Sequence, residues 1–307
     1  MDPMEAIELC RQAAYDSVGI PTCMAIHVPF RVGDYEQLWR RDPKQVRRLL
    51  DETLCAPRVQ DGLRLLLRFN VLYALFPEVT SMRALYDGDG LHKDVWEHTL
   101  IVVAGVPAEV DVRWGALLHD IGKSRTRRVI GKRVTFHNHD IVGARMVDQM
   151  QLRTGLFNDD DALFQTVRHL VREHLRPAGY KPNEWTDSAV RRLLTECGDE
   201  RFFEKLMSLS RSDLTTKNPL KRQKAERRAN DLEQRVKVVM SEMNAPKLPK
   251  GTMGDILVAS GRKPGNWLAN LRDCLEVDMA SGTLAIDLTR EDYVNIGLKQ
   301  LQSEKHS

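Results

Sequence analysis

The sequence has no run of apolar residues approaching the roughly 18–20 that a membrane-spanning helix needs. Its first residues, Met1-Asp2-Pro3-Met4-Glu5, are acidic where a secretory signal is basic and then apolar. The five cysteines, Cys10, Cys23, Cys55, Cys197 and Cys274, lie far apart and form no Cys-x-x-Cys pair, which argues against a disulfide framework or a thiolate zinc site. A reducing cytoplasm with no membrane association is the expected setting. The formal net charge is only +3, too small to establish nucleic-acid binding, so local clusters must carry that question. Internal repeats and low-complexity tracts are absent, and strand candidates are few.

What is present is ordinary for a globular protein. With 307 residues, 42% hydrophobic and 29% charged, the chain can bury one large core or two modest ones. Apolar residues recur at three- and four-residue spacing through Asp94–Val106, Val112–Leu118, Ala162–His174 and Ser188–Cys197, and each predicts a helix. FNVLYALFPEV (Phe69–Val79) reads as one buried helix stopped at Pro77. The best strand candidate is RVIGKRVTF (Arg128–Phe136), two β-rich pieces around a Gly131-Lys132 turn. APKLPKG (Ala245–Gly251) reads as a linker. The expected organisation is all-α with at most one small β-hairpin. A helical N-terminal region (1–88) leads into a histidine-rich helical domain (89–243), and a small helical C-terminal region (244–307) follows.

Six of the nine histidines fall between His98 and His174. The sharpest piece is LLHDIGK (Leu117–Lys123), where an apolar helix ends in His119–Asp120 and Gly122 lets the chain turn. Adjacent imidazole and carboxylate ligands suit a divalent transition metal, supplying nitrogen, oxygen and partial charge neutralisation. His98 shares a helical face with Val95, Thr99 and Val102, so it points inward. The stretch from His98 to His119 is long enough for a helix, a turn and a return helix, so the two can meet. In FHNHDIVGARMV, His139 stands nearer the helix start than its competitor His137, and Gly143-Ala144 permits close packing; Asp140 reads as a cap or as a group orienting a ligand. His169 and His174 are five residues apart and project about 140° from one another on a helix, so only one can face the site, and His174 is preferred. Asp213 lies near the buried face of a helical run containing Phe203, Leu206 and Leu209, where a carboxylate needs a partner; a metal is one and a helix-capping role is the rival.

In the order His98, His119–Asp120, His139, His174, Asp213, these residues resemble the HD superfamily of metal-dependent phosphohydrolases in its two-metal form. The resemblance implies an HD-domain helical bundle with helical N-terminal and C-terminal extensions. It implies that His98, His119, Asp120 and Asp213 hold one divalent ion (Mn, Ni, Co, Fe or Mg). His139 and His174 would serve a second, with Asp120 bridging. A closer likeness is to bacterial tRNA nucleotidyltransferases and poly(A) polymerases: LFPEVTSMRALYDGDGLHKDVWEHTL, VDVRWGALLHDIGKSRT and VTFHNHDIVGARMV are similar to the entry and core of their HD domain. RVQDGLRLLLRFNVLYALFPEV resembles their neck, and GRKPGNWLANLRDCLE their C-terminal Pro-Gly helix motif. The likeness runs over roughly residues 52–300. Two departures stand out. The first fifty or so residues hold neither a glycine-rich nucleotide motif nor a pair of aspartates one residue apart, so no polymerising head is expected. HNHD also replaces the Gly-before, Glu-after pattern around the histidine.

The activity implied is hydrolysis of phosphomonoesters or phosphodiesters of nucleotides or RNA ends, 2′,3′-cyclic phosphates foremost, by metal-activated water. Asp120 and Lys123 would be its catalytic residues. Lys123 would neutralise developing charge, with a surface salt bridge as its rival role. Arg125 and Arg127 are weaker phosphate contacts. KNPLKRQKAERR (Lys217–Arg228), with Lys221, Arg222 and Lys224, would track an RNA backbone if it is not simply a solvated helix face. Lys263 precedes a helix start that could meet phosphate. Two rival readings remain: a non-catalytic RNA- or partner-binding subunit working with a separate nucleotidyltransferase head, and a di-iron HD oxygenase.

Overall fold

Short polar side chains and prolines set where the helices begin. In the computed structural model, which describes residues 2–16, 31–83, 85–87, 93–131, 133–216 and 218–303, Asp2 and Glu5 form a reciprocal cap on α1 (Pro3–Tyr15), with Pro3 at its first position. There follow α2 (Val32–Arg41), α3 (Pro43–Cys55), which Asp42 caps, and α4 (Val59–Arg68). The expected single helix over Phe69–Val79 is corrected. Asn70 adopts a left-handed conformation (φ 64°) that separates α4 from α5 (Val71–Leu75). A helix does stop before Pro77, as expected, since α5 ends at Leu75 and Phe76 leaves the helical region; Pro77 then starts α6 (Pro77–Thr80), where its missing N–H costs nothing.

Next come β1 (Tyr86–Asp87) and β2 (Lys93–Asp94), an antiparallel ladder of two residue pairs that the sequence pattern did not signal. Then come α7 (Val95–Gly105), capped by Asp94, α8 (Val110–Leu118) and the short α9 (Lys123–Thr126). The expected hairpin is present as β3 (Arg128–Ile130) and β4 (Arg133–Thr135), in register Val129↔Val134, with Gly131 at φ 60°. Helices α10 (His139–Thr154), α11 (Asp161–Glu173), α12 (Leu175–Ala178), α13 (Asp187–Cys197) and α14 (Glu200–Asp213) follow. The chain ends with α15 (Pro219–Asn244), α16 (Thr252–Ser260), α17 (Asn266–Ala280) and α18 (Arg290–Ser303). The all-α class is what the structure shows.

The chain divides into two units, Met1–Gln234 and Arg235–Ser307. In the first, α8 is the hub. Val112, Trp114, Ala116, Leu117 and Leu118 are all buried, and α3, α7, α11 and α14 pack around them. A helix apolar on every side is stable only when enclosed in this way. Trp114 meets Phe76 and Phe157 edge-on, and its indole N–H donates to Asp51 at 2.6 Å. Gly115 lets α11 approach, since a Cβ there would lie 2.9 Å from Leu170 Cδ1. In the second unit Ile256, Leu271, Leu275 and Leu301 form a small core, on which Leu248, from the stretch expected to be a linker, also packs.

One close approach fixes the turn after α8. Gly122 has ordinary right-handed helical dihedrals, so the turn itself does not require a glycine, contrary to expectation. The glycine is needed for space: a Cβ would lie 2.0 Å from the His139 carbonyl oxygen and 2.7 Å from the Gly143 amide nitrogen. The turn after α8 and the first turn of α10 are thereby held backbone to backbone. Gly122→Ala should lower stability by about 1–3 kcal/mol, the cost of overpacking a close contact, read as a lower urea midpoint; an unchanged midpoint would contradict this packing.

Candidate metal centre

Five of the six predicted ligand residues stand at or just past helix ends. His119 and Asp120 directly follow α8, His139 opens α10, His174 follows α11 and Asp213 closes α14, while His98 lies one turn into α7. Because α8 is gripped by α7, α11 and α14, these ends converge. His98 Nε2 lies 2.9 Å from Asp213 Oδ1 and 3.5 Å from Asp120 Oδ2. His119 Nε2 lies 3.2 Å from Asp120 Oδ2 and 3.8 Å from Asp213 Oδ1. On the other side His139 Nε2 is 3.2 Å from Asp120 Oδ1 and 3.2 Å from His174 Nε2. Two groups able to hold an ion result: His98, His119 and Asp213, and Asp120, His139 and His174. Asp120 turns one oxygen to each group.

All four histidines present Nε2 to the centre, and in each the other ring nitrogen is occupied. Nδ1 of His119, His139 and His174 lies 2.8 Å from the carbonyl oxygens of Ala116, Phe136 and Val171, and His98 Nδ1 lies 3.0 Å from Thr215 Oγ1. A carbonyl only accepts, so it fixes the proton on Nδ1 and leaves the Nε2 lone pair for a ligand. These three carbonyls each lie three residues before their histidine, a local arrangement that needs no distant partner.

The electrostatics call for positive charge. Asp120 is buried, which pushes its carboxyl up, yet His119 and Lys123 hold it well below the usual carboxylate range. Asp213 is likewise opposed by burial and held low by His119 and His98. Burial disfavours a charged His119, but Asp120 and Asp213 outweigh it and raise the imidazole to about 10. His174 is pushed down to about 4 by burial and by the neighbouring His119. His119 Nε2 is nevertheless buried without a hydrogen-bond partner, although Asp120 Oδ2 is near it. An unpaired buried nitrogen between carboxylates, in a set of nitrogen and oxygen donors, fits a divalent ion.

Lys123 is largely buried at the wall of the cleft. Its ammonium lies 2.7 Å from Asp120 Oδ2 and 5.6 Å from the centre of the Phe136 ring, so the surface salt bridge considered for it does not describe it. A cleft lined by Val95, His98, Lys123, Asp213, Leu214, Thr215 and Thr216 reaches the centre. Another cleft, with Trp39, Lys44, Arg47 and Arg153 in its walls, contains none of the histidines.

The histidines left out have other surroundings: His137 is exposed, and His169 stacks on Phe202 with ring centroids 4.1 Å apart. Asp140 neither caps α10 nor reaches a site histidine; it pairs with Arg172 at 3.6 Å. Arg125, Lys221, Arg222, Lys224 and Lys263 are all exposed, and Arg222 bonds Glu226 one helical turn on. Lys217 lies outside the described residues. Thr215, missed in the sequence, was signalled only by following a candidate ligand closely in DLTT.

Residues 95–237 match the HD domain family. The chain is 32% identical over 188 residues to the CC-adding tRNA nucleotidyltransferase of Thermus thermophilus, a match covering 57% of this chain and 42% of that protein. It is 32% identical over 139 residues to the A-adding tRNA nucleotidyltransferase of Deinococcus radiodurans, covering 43% and 31% respectively. The chain thus spans less than half the length of either relative.

The geometry sets the expected response of the centre to mutation and to pH. Thr215→Val removes the partner that orients His98 and should weaken divalent-metal affinity about 10–100-fold by titration calorimetry, with the far-UV spectrum unchanged; wild-type affinity would show that the contact does not orient the ring. Because His119 carries a proton below about 10 in the metal-free site, binding must displace it. Apparent affinity should therefore rise about tenfold per pH unit through the neutral range, and a flat pH profile would contradict the protonated site.

Proposed function

Taking as premise that the chain is an HD-superfamily protein resembling parts of the tRNA nucleotidyltransferases, we propose that it is a metal-dependent phosphohydrolase. The observation that carries this reading is the position of Asp120, whose two oxygens face two separate groups of ligand-competent side chains. His98, His119, Asp120 and Asp213 would hold one ion, and Asp120, His139 and His174 a second. Such ions supply polarisation of phosphoryl oxygens and activation of water near neutral pH.

The chain's own residues do the rest. Thr215 and the carbonyls of Ala116, Phe136 and Val171 fix which ring nitrogen each histidine offers. Lys123 holds a positive charge against Asp120 at the cleft wall, where it can also meet charge developing on a phosphate. The cleft admits substrate from the side of His98, Lys123 and Asp213, and neither His139 nor His174 lines it.

The substrate class we favour is a phosphate ester of a nucleotide or of an RNA end, with a 2′,3′-cyclic phosphate foremost. It is supported by the names of the two relatives, both tRNA nucleotidyltransferases. Those names also support a second reading, a non-catalytic RNA-binding part that works with a nucleotidyltransferase. We place the protein in the cytoplasm. Cys10, Cys55, Cys197 and Cys274 are free, and no helix among the described residues is long and apolar enough to cross a membrane.

A hydrolysis screen separates the two readings. With Mn, Ni, Co or Mg, the protein should hydrolyse 2′,3′-cyclic nucleotides, nucleoside monophosphates or p-nitrophenyl esters. Asp120→Ala should lose turnover by more than about 100-fold, beyond the cost of losing an outer partner, while keeping its helical spectrum. Undiminished turnover in Asp120→Ala would refute the assigned site, and no hydrolysis by the wild type would favour the binding subunit.

A further inference from the structure

Between the two aspartates Asp120 and Asp140 the sequence holds no acidic residue, yet it carries Lys123, Arg125, Arg127, Arg128, Lys132 and Arg133. Arg125, Arg127 and Arg128 are exposed, and none of the three forms an ion pair among the described residues. Several other arginines are matched by carboxylates, as in Arg153 with Glu78, Arg168 with Asp148 and Arg211 with Glu233. The charge of Arg125, Arg127 and Arg128 is therefore not consumed by the fold.

The segment is also anchored at the candidate metal centre at both ends. It leaves from Asp120, and Lys123 bonds that carboxylate. It returns through Phe136, whose ring lies under the Lys123 ammonium and whose carbonyl accepts from His139 Nδ1. Between these points β3 and β4 project as a two-stranded hairpin of three residue pairs, about 10 Å long at the rise of a strand. The hairpin adds nothing to the core, since Val129 and Ile130 are 59% and 62% exposed. A free two-stranded hairpin is marginal by itself, so what it offers is a surface, apolar and cationic, at the rim of the site.

We infer that this hairpin, with Arg125, Arg127 and Arg128, is the surface that takes the strand of a single-stranded nucleic acid whose reacting phosphate lies at the metal centre. The inference rests on the phosphohydrolase reading for the place of that phosphate. A polynucleotide presents further phosphates beyond the reacting one, and guanidinium groups take phosphate oxygens two at a time. A mononucleotide ends at the centre and leaves the hairpin unused. The hairpin thus selects for chain length and not for the chemistry of the bond cleaved.

The test measures binding and hydrolysis separately. Binding of a fluorescein-labelled 2′-O-methyl RNA 12-mer, without added divalent metal so that it is not hydrolysed, is followed by anisotropy across a salt series. The same preparations are assayed on bis-p-nitrophenyl phosphate with Mn. R125Q/R127Q/R128Q should bind the RNA about tenfold or more weakly and lower the slope of log affinity against log salt by about 2, the loss of three phosphate contacts on a single strand. R125K/R127K/R128K should keep the slope, and R128Q alone, which leaves both candidate phosphate contacts Arg125 and Arg127 in place, should hydrolyse the small ester within about twofold of wild type. Wild-type affinity and slope in the glutamine variant would overturn the inference. So would binding of a poly-glutamate 12-mer as tight as that of the RNA. If the RNA binding shifts as expected but no preparation cleaves the small ester, the hairpin stands as a strand surface and the phosphohydrolase reading falls.

Discussion

A carboxylate buried to 1% exposure cannot stay ionised unless positive charge surrounds it, and Asp120 is such a group. Burial alone would neutralise it; His119, Lys123 and His139 keep it charged. Each of its oxygens has its own partners, Oδ2 facing His98, His119 and Lys123 and Oδ1 facing His139. The other side chains of the centre follow from this. Asp213 adds a second negative charge, and together the two carboxylates raise His119 to about 10. A site that holds a proton on an imidazole nitrogen facing two carboxylates is suited to a divalent cation in its place.

The scaffold serves that charge by being rigid where the chain turns. Helix α8 is enclosed on all sides and delivers His119–Asp120 from its end. The approach of Gly122 to the His139 carbonyl and Gly143 joins the two halves of the centre at the backbone, closer than any side chain could. The histidine rings are then set by carbonyls three residues earlier in the chain and by one threonine, so orientation needs few long-range partners. What stays free of the core is the hairpin between the two halves, where exposed arginines extend the positive field outward.

Much of this was legible in the sequence because its signals are local. Helical periodicity located α7, α8, α11 and α13 to within a few residues, and the β3–β4 hairpin was marked by Gly131 between β-rich pieces. His139 and His174 are buried, whereas His137 is exposed before α10 begins and His169 is half-buried against Phe202. What was not legible depends on packing. Asn70 breaks a helix that its apolar neighbours would continue, a left-handed residue without a glycine to announce it. Pro77 is legible as the stop that follows α5, but that it also starts α6 depends on the tertiary path. Thr215 meets His98 across more than a hundred residues, and Asp140 turns to Arg172 on a different helix, so neither pairing is written in local spacing.

The most direct measurement is the metal content of protein purified without chelator, determined by plasma mass spectrometry against protein concentration. Two ligand groups sharing Asp120 call for about two divalent ions per chain. A chain that carries no stoichiometric metal, and takes up none when Mn, Ni or Co is supplied, would contradict a metal centre built on that carboxylate.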